Sequence, residues 1–216
     1  MDDRCVDDCC MNDRLHAPAD DLTVFVLAGG KSTRMGRDKA FLDYDGVTLL
    51  AHALEVVQSV VTDVRIVGSR EKFAVFAPVV EDIFPDCGPL GGIHAALRAS
   101  PTELIVIIAV DMPFVSESFL KYLIGRAREA SDAVVVVPRS EGRRQPLCAI
   151  YRREFADTAE AALRAGRYRI DALFEVVPCL TITEQELEAA GFSVAIFCNL
   201  NTREDLVMSQ FEFPRY

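Results

Sequence analysis

Residues Leu22 to Lys39 read LTVFVLAGGKSTRMGRDK, an uninterrupted apolar run followed by a glycine-rich basic loop. The run Leu22 to Leu27 is rich in β-formers and continuously apolar, which predicts a strand covered on both faces. In the loop that follows, glycines let backbone N–H groups approach an anion closely, and lysine and arginine side chains supply positive charge. The stretch therefore predicts a phosphate-binding loop at the end of a buried strand.

Two common phosphate-binding loops do not fit this stretch. A P-loop, G-x-x-x-x-G-K-[ST], needs a glycine five positions before Gly30, where the chain has Phe25. The dinucleotide fingerprint G-x-G-x-x-G fails because the glycines here are Gly29, Gly30 and Gly36. The loop is thus of another kind.

Length and composition predict one soluble domain. The chain has 216 residues, of which 50% are hydrophobic, and no apolar run reaches the roughly 18 residues that a membrane span needs. Residues 1–21 hold several aspartates and cysteines without periodicity, which predicts an acidic, Cys-rich, disordered tail. Residues 22–216 are predicted to form the single folded domain.

Charge and cysteine content narrow the partners and the compartment. The net charge of −10 argues against nucleic-acid binding, which usually needs a basic face. The seven cysteines are odd in number and irregularly spaced, with no signal peptide in front of them, which favours reduced thiols and a cytoplasmic location. A metal cluster of Cys5, Cys9, Cys10 and His16 is an alternative, although no C-x-x-C pair occurs.

Apolar segments alternate with amphipathic ones along the domain. This alternation predicts an α/β fold with a single doubly wound, mostly parallel sheet and helices on both faces, as in Rossmann-like proteins. The segment Leu104 to Val110 (LIVIIAV) is the most apolar and is predicted to be central. Further predicted strands are Asp63–Val67, Pro78–Glu81, Ala133–Val137 and Leu147–Tyr151, and predicted helices are Thr48–Val61, Ser116–Glu129, Arg152–Ala165 and one from Thr202.

Other parts of the sequence suggest further site residues. Asp111 follows the predicted central strand, where a carboxylate faces the ligand crevice of an open α/β sheet and suits Mg²⁺; capping of the next helix is its alternative role. Gly88-Pro89-Leu90-Gly91-Gly92 predicts a close-approach loop that opens onto a helix. The stretch 143–146 (RRQP) is either a second anion-binding edge or a solvated basic turn.

Five segments together identify a family. LAGGKSTRMGRDKA, GPLGGI, DMPF, RQPLCAIY and NLNT occur in this order from Leu22 onward, and the pattern resembles the molybdenum cofactor guanylyltransferases. That family transfers GMP from GTP to molybdopterin and releases pyrophosphate. The resemblance implies a nucleotidyltransferase domain over residues 22–216, with Mg²⁺ as cofactor, GTP and molybdopterin as substrates, no nucleic acid or membrane, and transient contact with cofactor-inserting proteins.

The resemblance also implies roles for individual residues. Lys39 is expected to contact the phosphates, Asp82 to lie near the guanosine, and Asp111 to hold both the nucleotide and Mg²⁺. Arg34, Lys39 and Asp111 form the expected catalytic set, because they would neutralise charge on the phosphoryl oxygens. The loop residues expected to line the GTP site are Leu27, Ala28, Gly29 and Gly30, and those expected on the pterin side are Asn199 and Asn201.

One departure and three alternatives accompany this resemblance. The chain has Gly68 where the family often has asparagine after the second strand, so a side-chain contact to the nucleoside would be missing. A molybdopterin cytidylyltransferase is one alternative, although such enzymes resemble Leu-Ala-Ala-Gly at the loop start. A sugar-phosphate nucleotidyltransferase and a non-enzymatic carrier of the cofactor are the others.

Overall fold

A computed structural model describes residues 21–29 and 38–200 of the chain. The predicted N-terminal tail, most of the basic loop and the predicted helix from Thr202 lie outside these residues. No disulfide joins the cysteines of the described ranges, Cys87, Cys148, Cys179 and Cys198, to one another. None of the helices there is long and apolar enough to cross a membrane.

A mixed sheet forms the centre of the fold. Its main path runs β10-β7-β9-β6-β1-β4-β5, so β6 occupies the middle position that the sequence predicts for its apolar segment. Neighbours are parallel throughout except at β9, which runs antiparallel to both β6 and β7, and at β8, which pairs antiparallel with β7. Within the described residues, eight strands form this sheet, and β2 and β3 form a separate antiparallel pair. The strands are β1 (Leu22–Leu27), β2 (Asp43–Tyr44), β3 (Val47–Thr48), β4 (Val64–Val67), β5 (Val79–Val80), β6 (Leu104–Ala109), β7 (Val135–Ser140), β8 (Arg143–Arg144), β9 (Cys148–Arg152) and β10 (Cys179–Ile182).

In the part of the chain that the structure describes, five helices lie between strands and a sixth follows the last strand. Two of them begin where the sequence predicts: the Thr48 hydroxyl accepts from Ala51 N to cap the first, and the Ser116 hydroxyl accepts from Phe119 N to cap the fourth. The helices are α1 (Leu49–Gln58), α2 (Arg70–Phe73), α3 (Pro89–Ala99), α4 (Glu117–Glu129), α5 (Phe155–Arg164) and α6 (Glu184–Ala189). Short 3-10 turns lie at Lys39–Phe41, Ile170–Ala172 and Val194–Phe197.

Two hydrophobic cores lie on opposite faces of the sheet, which confirms the doubly wound arrangement. Strand β1 is buried along its whole length and supplies both cores alternately. Val24 and Val26 face the core under α1 and α4, whereas Phe25 and Leu27 face the core under α3 and α5. This alternation follows from the two-residue side-chain period of a strand and explains why the run carries no polar face.

The structure differs from the sequence-based expectations at several element boundaries. Gly91 and Gly92 lie within the first turns of α3 instead of a loop. Arg152 ends β9, and its guanidinium donates to the carbonyl of Ala133, so the helix that was expected to begin there starts at Phe155. Helix α6 was not predicted, although Thr183 and Glu186 form a capping box that the sequence could have revealed.

Candidate active site

The carboxyl ends of the parallel strands β1, β4, β5 and β6 meet at one edge of the sheet. The chain order places β4 on one side of β1 and β6 on the other, so the crevice between β1 and β6 is a topological switch point. Open α/β sheets bind ligands at such points. Leu27 ends β1 at this edge and Ala28 and Gly29 follow it. Asp82 follows β5, and Asp111 follows β6.

Lys39 and Asp111 meet in the crevice. The Lys39 ammonium donates to Oδ2 of Asp111 at 3.1 Å, and their side chains are 27% and 18% exposed. Both groups are therefore partly shielded from water yet accessible to a ligand. Asp111 does not cap the following helix, since Ser116 does so, which removes the alternative role for the carboxylate.

The segment that ends at Leu200 lies beside Asp111. The backbone N–H of the buried Leu200 donates to the carbonyl of Asp111 at 2.9 Å. Asn199, next to it in the chain, is exposed. The structure thus brings Asn199 to the same edge as the Lys39–Asp111 pair, while Asn201 lies outside the described residues.

Glycines shape one side of this edge, the predicted nucleotide side around Gly29 and Gly68, by close approach. The N–H groups of Ala28 and Gly29 both donate to the carbonyl of Val67 at 3.0 Å, which presses the start of the loop against the end of β4. A β-carbon on Gly68 would lie 3.3 Å from Gly29 N and 2.8 Å from a ring carbon of Phe73. A residue with a side chain at position 68 would not fit between Gly29 and Phe73 without a shift of its neighbours.

The first turns of α3 complete the nucleotide side. A β-carbon on Gly91 would lie 2.8 Å from the carbonyl oxygen of Phe84, and one on Gly92 would lie 3.4 Å from Cδ2 of Leu27. The same Gly92 position is 3.6 Å from Oδ1 of Asp82. Leu27, Asp82 and the start of α3 therefore lie close together at this edge.

The Asp82 carboxylate lies at the protein surface but packs on one side against the start of α3. Protein atoms on that side replace water, and this burial raises the pKa of Asp82 above its ordinary value. A carboxylate kept there at a cost in desolvation is a candidate for ligand contact.

Several predicted features do not join the described site. Gly30 and Arg34 lie outside the described residues. Arg144 forms an ion pair with Glu175 at 2.6 Å and lies 5.8 Å from the Phe174 ring centroid. This pairing raises the pKa of Arg144 and gives its guanidinium a structural role. A surface groove of about 880 Å³ beside α5 contains none of the predicted site residues.

Sequence reasoning missed the residues that act through packing at this edge. Phe73 fills the space that a side chain at position 68 would take, and the Phe84 carbonyl fills the space beside Gly91. Phenylalanines in a short helix and in a loop carry no motif. The only sequence signal for these contacts is the glycine at positions 68 and 91, which indicates that another group packs against the backbone there.

Comparison with known proteins agrees with this geometry. Residues 24–179 match the MobA-like NTP transferase domain. The chain belongs to this family. Among similar relatives of the MobA-like family, the molybdenum cofactor guanylyltransferase of Desulfosudis oleivorans is 36% identical over 87% of this chain and 93% of its own length. The probable molybdenum cofactor guanylyltransferase of Clostridium perfringens is 37% identical over 84% of this chain and 94% of its own length.

Solved structures place the fold among the nucleotidyltransferases. Molybdopterin-guanine dinucleotide biosynthesis protein A from Archaeoglobus fulgidus superposes with a TM-score of 0.75 and 28% identity, covering 88% of this chain and 97% of that one. The 2-C-methyl-D-erythritol 4-phosphate cytidylyltransferase of Thermus thermophilus has a TM-score of 0.63 and 17% identity, covering 87% of this chain and 96% of that one. At that identity the second likeness concerns the fold alone. The MobA-like membership makes the chain a nucleotidyltransferase, not a carrier.

Proposed function

We propose that this chain transfers GMP from GTP to the phosphate of molybdopterin, releasing pyrophosphate and forming the guanine dinucleotide cofactor. The observation that carries the proposal is the Lys39–Asp111 pair at 3.1 Å in the crevice between β1 and β6. Glycines that accommodate a nucleotide lie on one side of this pair, and the Asn199 segment lies on the other. This chain matches the related guanylyltransferases over nearly their whole length, which supports the same substrates for it.

The Asp111 carboxylate is a suitable ligand for Mg²⁺. Carboxylate oxygens are hard donors, and Mg²⁺ is usually held by one or two carboxylates together with substrate phosphates and waters. No group of three or more potential metal-binding side chains occurs in the described ranges 21–29 and 38–200, so a dedicated protein cage is not built there. When bound, Mg²⁺ would supply charge neutralisation on the phosphate oxygens.

The proposed reaction requires positioning and charge more than acid–base chemistry. An oxygen of the acceptor phosphate is already anionic at neutral pH, so it attacks the α-phosphorus without a general base. The bond from the α-phosphorus to the bridging oxygen of the β-phosphate breaks, and the electron pair leaves with pyrophosphate. Lys39 stabilises the negative charge that develops on these oxygens, and the same role is proposed for Arg34.

The remaining parts of the proposal concern the base, the location and the partners. Leu27 to Gly30 and Asp82 would contact the nucleotide, with backbone groups in place of a side chain at Gly68. Asn199 and Asn201 would contact the pterin substrate. We also propose a cytoplasmic location and transient contact with the proteins that insert the finished cofactor.

A direct assay tests this function. The purified chain is incubated with molybdopterin, Mg²⁺ and either GTP, CTP, ATP or dTTP, and pyrophosphate release and the dinucleotide product are measured by coupled enzymes and mass spectrometry. We expect product with GTP and little with the other nucleotides. A clear preference for CTP would replace the guanylyl assignment with the cytidylyl one.

A further inference from the structure

The short helix α2 (Arg70–Phe73) lies outside the five motifs, yet its contacts reach both described ends of the basic loop. Of the basic loop, the structure describes Ala28 and Gly29 at the near end and Asp38 and Lys39 at the far end. The contacts of α2 reach the far end through Asp38 and Phe41, and the near end through Gly68. We refer to this helix as the α2 brace.

The far end of the loop is held by an ion pair. One oxygen of the Asp38 carboxylate, Oδ1, accepts from Ala40 N at 3.2 Å and caps the turn that carries Lys39. The other oxygen, Oδ2, accepts from the Lys72 ammonium at 2.8 Å. Asp38 is only 18% exposed, whereas Lys72 is 53% exposed. A single carboxylate thus ties the Lys39 turn to the brace.

Aromatic packing holds the same end a second time. The Phe41 ring, at the end of the Lys39 turn, stacks on the buried Phe73 ring with centroids 5.7 Å apart, and it lies 6.2 Å from the Phe76 ring. Offset-stacked rings of this kind add to the free energy gained by burying their area. The turn therefore has two independent contacts with α2, one polar and one apolar.

The near end of the loop is held through Gly68. The Phe73 ring lies so close to Gly68 that a β-carbon there would be 2.8 Å from it, and Gly68 in turn lies against Gly29. At the start of α2, Arg70 binds the segment that leads to Asp82. Its backbone N–H donates to Glu81 at 3.2 Å, and its guanidinium donates to the Val79 carbonyl at 3.1 Å. The brace thus contacts three parts of the nucleotide side.

We propose that the α2 brace is a positioning element, in which Lys72 acts through Asp38 to fix the ammonium of Lys39 relative to the outer phosphates of the bound triphosphate. The proposal rests on the nucleotidyltransferase function above and names a residue for it that lies in none of the five motifs. A shift of about 1 Å in a charged group that must meet a phosphate is sufficient to weaken binding and catalysis. Lys72 is a positioning residue because it contacts the Asp38 carboxylate, which in turn caps the Lys39 turn.

A double-mutant cycle on nucleotide affinity tests the proposal. Isothermal titration with Mg²⁺ and GTP is performed on wild type, Lys72→Met, Lys39→Met and the double variant. We expect Lys72→Met to weaken GTP binding by about five-fold, the effect of one lost and partly exposed ion pair. In the Lys39→Met background the same change should alter affinity less than about two-fold, because the ammonium that Lys72 positions is already absent.

Matched controls separate positioning from general damage. Lys72→Arg keeps the ion pair and should restore wild-type affinity. Lys121→Met removes the same charge from the Lys121–Glu117 pair on α4 and should leave GTP binding unchanged. GMP lacks the outer phosphates, so its affinity should be equal in wild type and Lys72→Met. Circular dichroism and thermal melts confirm that each variant folds.

Each remaining outcome has a definite meaning. Equal weakening by Lys72→Met in both backgrounds, or equal weakening of GMP and GTP, would overturn the positioning role. If wild type prefers CTP, the guanylyl assignment falls, and the cycle repeated with CTP still tests the brace. If wild type binds no nucleoside triphosphate, both proposals fail together.

Discussion

The two sides of the candidate site are built on opposite principles. On the nucleotide side, Gly68 and Gly91 make room through the absence of side chains, and an added β-carbon would lie 2.8 Å from a neighbouring atom at each. At the proposed reacting centre, Lys39 and Asp111 present opposite charges at the ends of their side chains. The first region is sensitive to added atoms and the second to removed charge, so each calls for a different kind of variant.

Removing the Asp111 charge should have the largest effect. Asp111→Asn keeps the size of the side chain and the backbone carbonyl bonded to Leu200, but it removes the anion proposed to bind Mg²⁺. We expect GMP transfer to fall on the order of a thousand-fold with a normal thermal melt. The charge-matched control Asp157→Asn, at an exposed ion pair with Arg98, should retain activity. Near wild-type transfer in Asp111→Asn would show that the reaction does not need the negative charge of Asp111.

Adding one carbon to the nucleotide side should have the next largest effect. Gly91→Ala forces a β-carbon against the backbone carbonyl of Phe84, which has no flexible end that can move away. We expect about 1–3 kcal/mol lower free energy of unfolding and a raised KM for GTP. The control Gly125→Ala lies inside α4, with nothing within 4 Å of its β-carbon.

This control should respond in the opposite direction. Alanine favours a helix interior over glycine by about 0.8–1.0 kcal/mol, so Gly125→Ala should stabilise the protein and leave GTP kinetics unchanged. Urea unfolding and steady-state kinetics measure both effects. If the two alanine variants behave alike, the close approach at Gly91 has no functional meaning.

Restoring the family's usual asparagine at position 68 should harm this chain. In Gly68→Asn the new side chain meets the buried Phe73 ring, so we expect several-fold weaker GTP binding in a titration instead of an improvement. Combining it with Phe73→Leu, a smaller and more flexible side chain, should recover part of the loss. Tighter binding by Gly68→Asn alone would mean that position 68 does contact the nucleoside through a side chain.

The smallest expected effect concerns Asp82 and pH. Burial raises the pKa of Asp82 in the folded state, so the charged carboxylate destabilises the protein at neutral pH. This destabilisation disappears as the pH falls through the folded pKa and then the unfolded pKa. Asp82→Asn should therefore raise Tm slightly at pH 7 and lose this advantage below about pH 4. Thermal melts across this range measure the difference, and a lower Tm at pH 7 would contradict the desolvation argument.

The charged side of the comparison could be predicted from sequence, whereas much of the glycine side could not. Asp111 follows the most apolar run in the chain, so the end of a predicted strand located it. The basic loop after β1 was predicted from its residues, and the family resemblance singled out Lys39 within it. Glycines at 91 and 92 also stood out. Their position inside α3 and the contact of Gly68 with Phe73 depend on tertiary packing, which leaves no local pattern in the sequence.

The antiparallel strand β9 shows the same limit at the level of topology. Its segment, Leu147 to Tyr151, is apolar on both faces, and that pattern is shared by parallel and antiparallel strands in the middle of a sheet. The direction is set by the short connection through β8, which folds the chain back on β7. The apolar pattern thus predicts that β9 is a strand, whereas its antiparallel direction follows from the short connection that precedes it.

The hydrogen bond from Leu200 to the Asp111 carbonyl joins residues far apart along the chain. Contacts between distant segments close long loops at a cost in chain entropy, and folds rich in such contacts form slowly. A ribosome-bound chain whose segment around residue 200 is still inside the exit tunnel already contains both β1 and β6, yet it lacks this support for the backbone of Asp111. The sheet strands on either side of the crevice are therefore available before the Leu200 hydrogen bond to Asp111 can form.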